Sequence, residues 1–232
     1  MKRLFIVSML LSATLAFGQN NASENFRDFT SISLAIPADL EVTIEDKFSV
    51  EMKMTDEMRN KITIEKEGNN LKFRWKEKKM GNGYYSEKKR MVIRVSMPAL
   101  EALNSSGSGD ISVKNEVKTT NFNCSLAGSG DVRIEKISAE NVKFNIAGSG
   151  DVSVDGGSAK EAEFNIAGSG DVEASGLKAQ KTECNISGSG DIKCYAGETL
   201  KVAIAGSGDV VYEGSPANVK QSVIGSGSVT KR

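Results

Sequence analysis

Apolar and polar residues alternate through most of this chain, and the alternation returns in the same places about every 20 residues. The string FNIAGSGDV stands at residues 144–152 and again, letter for letter, at 164–172. Four residues before each such glycine corner stand Leu103, Cys124, Phe144, Phe164, Cys184 and Val202, and two before it stand Leu126, Ile146, Ile166, Ile186, Ile204 and Val223. After the corner, Ile111, Val132, Val152, Val172, Ile192, Val210 and Val229 form one column, and Val113, Ile134, Val154, Ala174, Cys194 and Tyr212 form the next. Asn, Ser, Ala, Lys and Glu fill most positions between. A period of two with one apolar face predicts strands that bury that face.

The corner itself is GSGD, starting at Gly107, Gly128, Gly148, Gly168, Gly188 and Gly206, with a GSGS variant at Gly225. Successive starts are 21, 20, 20, 20, 18 and 19 residues apart. Self-similarity at this period predicts a solenoid in which each repeat is one coil. The leucine and asparagine ladder of leucine-rich repeats is missing, so strands rather than helices should fill the coils. The expected fold is therefore all-β, a parallel β-helix cornered by GSGD, whose seven turns rise on the order of 34 Å at the parallel-strand spacing. The structural turn residues are Gly107, Gly109, Gly128, Gly130, Gly148, Gly150, Gly168, Gly170, Gly188, Gly190, Gly206 and Gly208. Glycine reaches backbone angles closed to other residues, and Ser and Asp bond to nearby backbone. Across the corner, Phe164 should face Ala174, Val202 should face Tyr212 and Cys124 should face Ile134, large against small as close packing demands.

Residues 26–103 lack GSGD but still read as strands (FTSISLAI, LEVTIED, FSVEMKM, KITIEK, LKFRWK, RMVIRVSM), with one helical turn near 55–60. They are expected to supply irregular first coils and a cap on the open end of the stack. No linker-like break separates them from the repeats at 104–232, so residues 19–232 read as one domain. Residues 76–90, KEKKMGNGYYSEKKR, carry six basic and two acidic residues around Tyr84 and Tyr85 and read as a long, solvated hairpin loop. The alternative reading is a contact for an anionic glycan or a partner surface.

Composition narrows the function. Lys2, Arg3, a short apolar run and the triplet Ala16-Phe17-Gly18 predict a signal peptide over residues 1–18, with the exported chain beginning at Gln19. The apolar run is short for a membrane span, and no second segment is apolar enough for one. Of 30 basic and 30 acidic residues, removing Lys2 and Arg3 leaves 28 against 30, a net charge of −2. That balance gives no global attraction to nucleic acid. Histidine is absent, and with it the commonest general base and metal ligand.

Asp110, Asp131, Asp151, Asp171, Asp191 and Asp209 should stack along one edge. Calcium-binding β-rolls use such ladders, but with turns about every nine residues and ligands from both neighbouring turns. One aspartate per coil is better read as a turn cap in contact with water. Asn104, Asn145, Asn165 and Asn185 form a second, amide ladder that is expected to be structural. No cofactor is expected.

The signal peptide, the LEALNSSGSGD transition and the serial GSGD turns together resemble the bacterial auto-transporter adhesin family with a head GIN domain. The resemblance covers essentially the whole exported chain. It implies a right-handed parallel β-helix related in shape to pectin lyases but without their catalytic residues, and a role in cell-surface adhesion. After Gly225 the sequence has no coiled-coil stalk and no membrane-barrel segment, so self-anchoring is not expected. The expected protein is exported (periplasmic, cell-surface or extracellular), non-catalytic, and binds a surface ligand, glycan or protein. The alternatives are an envelope interaction or stress-sensing module, and a carbohydrate-active β-helix enzyme. Against the enzyme, no acid–base pair stands out from the repeat and the cysteines lie on core columns.

The three cysteines leave one further choice. Cys184 and Cys194 stand four residues before and six after Gly188, on columns that face each other across the core. They form either a disulfide, which export permits, or a pair of small reduced core residues. Cys124 should stay unpaired in both cases.

Overall fold

Phe144 stands in parallel register with Phe164, and their rings stack at 5.8 Å between centroids and 12° between planes. In this computed structural model, which describes residues 26–77 and 91–232, the same register runs up the stack. Strand Gly157–Gly168 lies between the end of Val132–Gly148 on one side and Leu177–Gly188 on the other. Thr199–Gly206 and Asn218–Gly225 continue the pile. On the far side of each corner, Val152–Val154, Val172–Glu173, Ile192–Tyr195, Val210–Glu213 and Val229–Lys231 stack likewise, all parallel. The repeats therefore build a parallel β-solenoid, and the GSGD segments are corners between sheets rather than hairpins.

Close approach of successive coils explains the corner glycines. Gly168 has φ +148°, and a Cβ placed there would lie 2.1 Å from the carbonyl oxygen of Gly148 in the coil below. The missing side chain lets Ser169 N–H donate to that oxygen at 2.9 Å. One coil below the first GSGD, Ile36-Pro37-Ala38-Asp39 occupies the corner. In the coil beneath it, strands Asn70–Trp75 and Val92–Met97 pair with the two sides of this corner.

The first coils are out of chain order. Ser31–Ala35 pairs in parallel with Asn70–Trp75 on one side and with Ala102–Ser105 on the other. Asp39–Ile44 likewise lies between Val92–Met97 and the start of Ile111–Leu126. The 31–44 coil is thus inserted between two coils that follow it in sequence. Two antiparallel strands close this end: Ile62–Glu67 on Asn70–Trp75, and Ser49–Lys53 on Val92–Met97. Between them runs helix Asp56–Lys61, whose N-cap Thr55 accepts from Met58 N–H at 3.4 Å, with Asp56 and Glu57 in its first turn. Carboxylates there suit the positive end of the helix dipole.

The strands flanking residues 76–90 pair with these separate neighbours and not with each other. The segment read as a hairpin loop falls almost wholly outside the described residues. Residues 78–90, and the signal segment, lie outside the described residues.

The core is the interior of the stack. Its apolar columns from Leu126 to Ile204 and from Ile111 to Val210 are buried almost completely. Ser105 occupies the same column, between Leu34 and Leu126, and its buried hydroxyl has no hydrogen-bond partner. At the last coil the pattern changes: Gln221 follows Val202 and Lys231 follows Tyr212 in register. Val219, Val223 and Ile224 are the exposed large hydrophobics among the described residues. Val223 thus keeps its place in the column but not its burial, because no coil covers it among the described residues.

Candidate functional site

Each corner aspartate clasps the coil above it. Asp131 N–H donates to Asp110 Oδ1 at 3.1 Å, Asp151 to Asp131 at 2.9 Å, and Asp171 to Asp151 at 2.8 Å. Asp191 and Asp209 repeat the contact at 2.8 Å, and Ser228 closes it on Asp209 at 2.7 Å. The exposed carboxylates therefore cap backbone amides of the next coil. The row also begins one coil earlier, since Asp39 Oδ1 accepts from Asp110 N–H at 3.2 Å. Among the described residues, no three His, Cys, Asp or Glu side chains are placed to hold a metal ion.

The amide ladder is shorter than expected. Asn185 donates to Asn165 at 2.9 Å and Asn165 to Asn145 at 3.0 Å. Below Asn145 the register position is Ser125, so Asn145 reaches instead to Asn123 at 3.2 Å. Asn104 is cut off from the amides and lies 3.5 Å from Ser33 Oγ. Cys184 and Cys194 do meet across the core, with sulfurs 3.7 Å apart and as thiols. Cys124 is buried elsewhere, and desolvation pushes its thiol up to about 12.

A surface groove of about 1030 Å³ lies across the outward columns of the coils. It crosses the coils at 119–123, 141–143, 161–163, 181–183 and 199–201, within the long strands of the stack. Four steps at the parallel-strand spacing make it about 19 Å long. Its walls are ion pairs between neighbouring coils: Lys143 with Glu163 at 2.8 Å, Lys181 with Glu161 at 2.9 Å, and Lys201 with Glu183 at 3.7 Å. Asn121, Asn141 and Thr199 add neutral donors and acceptors. The hydrogen bond from Lys143, then that from Asn165, holds Glu163 below the usual carboxylate range. Its bond to Glu161 raises Lys181. The signal for this face was present in the sequence, as opposite charges about 20 residues apart in the outward columns.

This arrangement can hold a ligand by many parallel polar contacts. Histidine is absent from the sequence, and all three cysteines are buried.

The profile of a family described as "Putative auto-transporter adhesin, head GIN domain" matches residues 28–216. The chain belongs to this family. Among solved structures, a "putative adhesin" from Bacteroides fragilis NCTC 9343 superposes with a TM-score of 0.84 at 25% identity, covering 91% of this chain and 96% of that one. A "putative lipid binding protein" from Parabacteroides distasonis ATCC 8503 is 30% identical, with a TM-score of 0.64 and coverage of 93% and 98%. A "putative adhesin" from Parabacteroides merdae ATCC 43184 shares the fold at 19% identity, with a TM-score of 0.68 and coverage of 91% and 95%. No curated protein matches the chain. The head GIN solenoid is thus the shared scaffold. No helix among the described residues is long and apolar enough to cross a membrane.

Proposed function

We propose that this head GIN protein is an exported, non-catalytic binding protein of the cell envelope or surface, and that it adheres through the charged groove. The observation that carries this reading is the groove itself: about 1030 Å³, crossing five coils, and walled by paired Lys and Glu with interleaved amides. Ionised and amide groups at a fixed rise suit an extended, hydroxyl-rich or polar chain, a glycan or a protein segment. The adhesin names of the Bacteroides and Parabacteroides relatives agree with it.

The lipid-binding name of the other Parabacteroides relative favours a second ligand class. The solenoid interior is filled by buried side chains, which argues against an acyl chain inside it. An acyl chain would have to lie on the shallow outward strip of about 430 Å³ that includes Ala147, Ala167, Ala205 and Ile224.

The test is to export the chain, probe a glycan array and phosphatidylcholine vesicles with it, and assay the bound glycans for turnover. Retention on glycans without product supports adhesion. Cleaved product would establish an enzyme, and retention on vesicles alone would replace the groove with the apolar strip.

A further inference from the structure

From the meeting of Cys184 and Cys194, we infer a disulfide site that pins strand Leu177–Gly188 to strand Ile192–Tyr195 across the core, next to the Gly188 corner. The two sulfurs lie 3.7 Å apart, and both residues are wholly buried. A disulfide needs about 2.05 Å, so the gap is closed by turning the two side chains toward each other. Facing sheets elsewhere stand about 10 Å apart, too far for a bridge. Beside the Gly188 corner the two strands bring their sulfurs to 3.7 Å.

The neighbouring coils show why this one has room. Phe164 stands directly below Cys184 and Val202 directly above it, while Tyr212 stands above Cys194. Cysteine fills both of the facing positions in this coil. Cys124 sits on the same column as Cys184, three coils lower, and no second cysteine faces it.

The chemistry is an exchange with a disulfide-bearing donor, of the kind that oxidises exported chains. The thiolate of one cysteine attacks the donor disulfide and releases one donor sulfur as a thiol. The second cysteine attacks the mixed disulfide and releases the other. The chain loses two electrons and two protons, and the donor leaves as two thiols. Both sulfurs are inaccessible once the coils close, so exchange takes place on the chain before folding is complete. The finished core then shields the bridge from reductant. It also leaves Cys124 as a thiol held protonated by burial.

The experiment is to refold the purified chain in a buffer of oxidised and reduced glutathione, unfold it in guanidinium without reductant, alkylate it and weigh it. One label, mapped to Cys124 in the peptides, is the expected result. Three labels, or a bridge or glutathione adduct that includes Cys124, would overturn the inference. A Cys194→Ala variant places in the coil the residue that Ala174 already supplies to this column, and it should take two labels. As an independent readout, heating with a phosphine reductant should lower the wild-type Tm by roughly 5–10 °C, in line with a closed loop of this length. The reductant should not move the Tm of Cys194→Ala. Equal behaviour of the two proteins would also overturn the inference.

Discussion

Replacing Gly168 by alanine tests the coil-on-coil contact at a single atom. The added Cβ would sit 2.1 Å from Gly148 O and 3.1 Å from both Gly148 C and Gly148 N. These are backbone atoms of the next coil, and they cannot rotate away. Relief requires the coils to part by about 1 Å, which breaks the 2.9 Å bond from Ser169 N–H to Gly148 O and strains the aspartate clasp from Asp171 to Asp151. Two such bonds contribute about 1–3 kcal/mol together. Alanine at φ +148° adds roughly 1–3 kcal/mol of backbone strain. The sum, about 2–6 kcal/mol, is a large share of the roughly 5–15 kcal/mol that holds a typical domain together. At about 2–4 °C per kcal/mol for a chain of this size, the Tm should fall by roughly 8–16 °C at the middle of that range. Two controls separate the causes. Gly156→Ala, whose nearest neighbour is Glu135 O at 4.0 Å, should stay within about 0.5 kcal/mol of wild type. Gly68→Ala, at φ +61° with nothing within 4 Å, should show the left-handed penalty alone, about 1–2 kcal/mol. The assay is thermal unfolding by circular dichroism, repeated in urea. If Gly168→Ala melts with Gly156→Ala, the close-contact explanation of the GSGD corner is wrong.

Calcium added to chelator-treated protein should leave the Tm flat, because the corner carboxylates are engaged by backbone amides; a saturable rise would show a bound ion. Glu116 is held down to about 2 by the hydroxyl of Ser138, then by Lys136 and Lys118. Its folded value lies below the ordinary 4.5, so its contribution is present above pH 4.5 and is lost as the pH falls toward 2. Ser138→Ala should move the Glu116 carboxyl titration, followed by carbon NMR, back toward 4.5, and an unmoved titration would show that the hydroxyl is not the cause. Ser105→Ala removes a buried hydroxyl without a partner among the described residues and should leave the unfolding free energy in urea unchanged or raise it, by about 1 kcal/mol at most. A clear loss of stability would mean that the hydroxyl has a partner after all.

The corners were legible in the sequence because their chemistry is forced: every coil that lies on another GSGD needs glycine where the lower carbonyl approaches. The first corner stayed hidden. At Ile36-Pro37-Ala38-Asp39 the glycines are missing and only Asp39 keeps its place in the row. The swapped order of the first coils could not be read locally, because Leu40 pairs with Ile111 and Leu34 with Ser105 across an insertion that itself folds as strands. Strand content in residues 26–103 was visible, but its partners were not. Reading the outward columns for ladders found the asparagines and overextended them to Asn104, since Ser125 interrupts the series. The same columns held the groove. Lys143 and Glu163 stand 20 residues apart in the sequence and 2.8 Å apart in space, so these outward charges are paired coil to coil.

The central claim is that ligand is held by the charged groove rather than by another face of the solenoid. Lys143→Gln with Lys181→Gln neutralises two groove side chains whose ion pairs are exposed and contribute little to stability. Lys193→Gln makes a matched change on the aspartate face, where Lys193 pairs with Glu173 at 3.1 Å. The measurement is the equilibrium binding of each variant to the best ligand retained on the array, after confirming unchanged melting. The account predicts at least a tenfold loss for the groove pair and wild-type binding for Lys193→Gln. Undiminished binding by the groove pair, or an equal loss in Lys193→Gln, would contradict it.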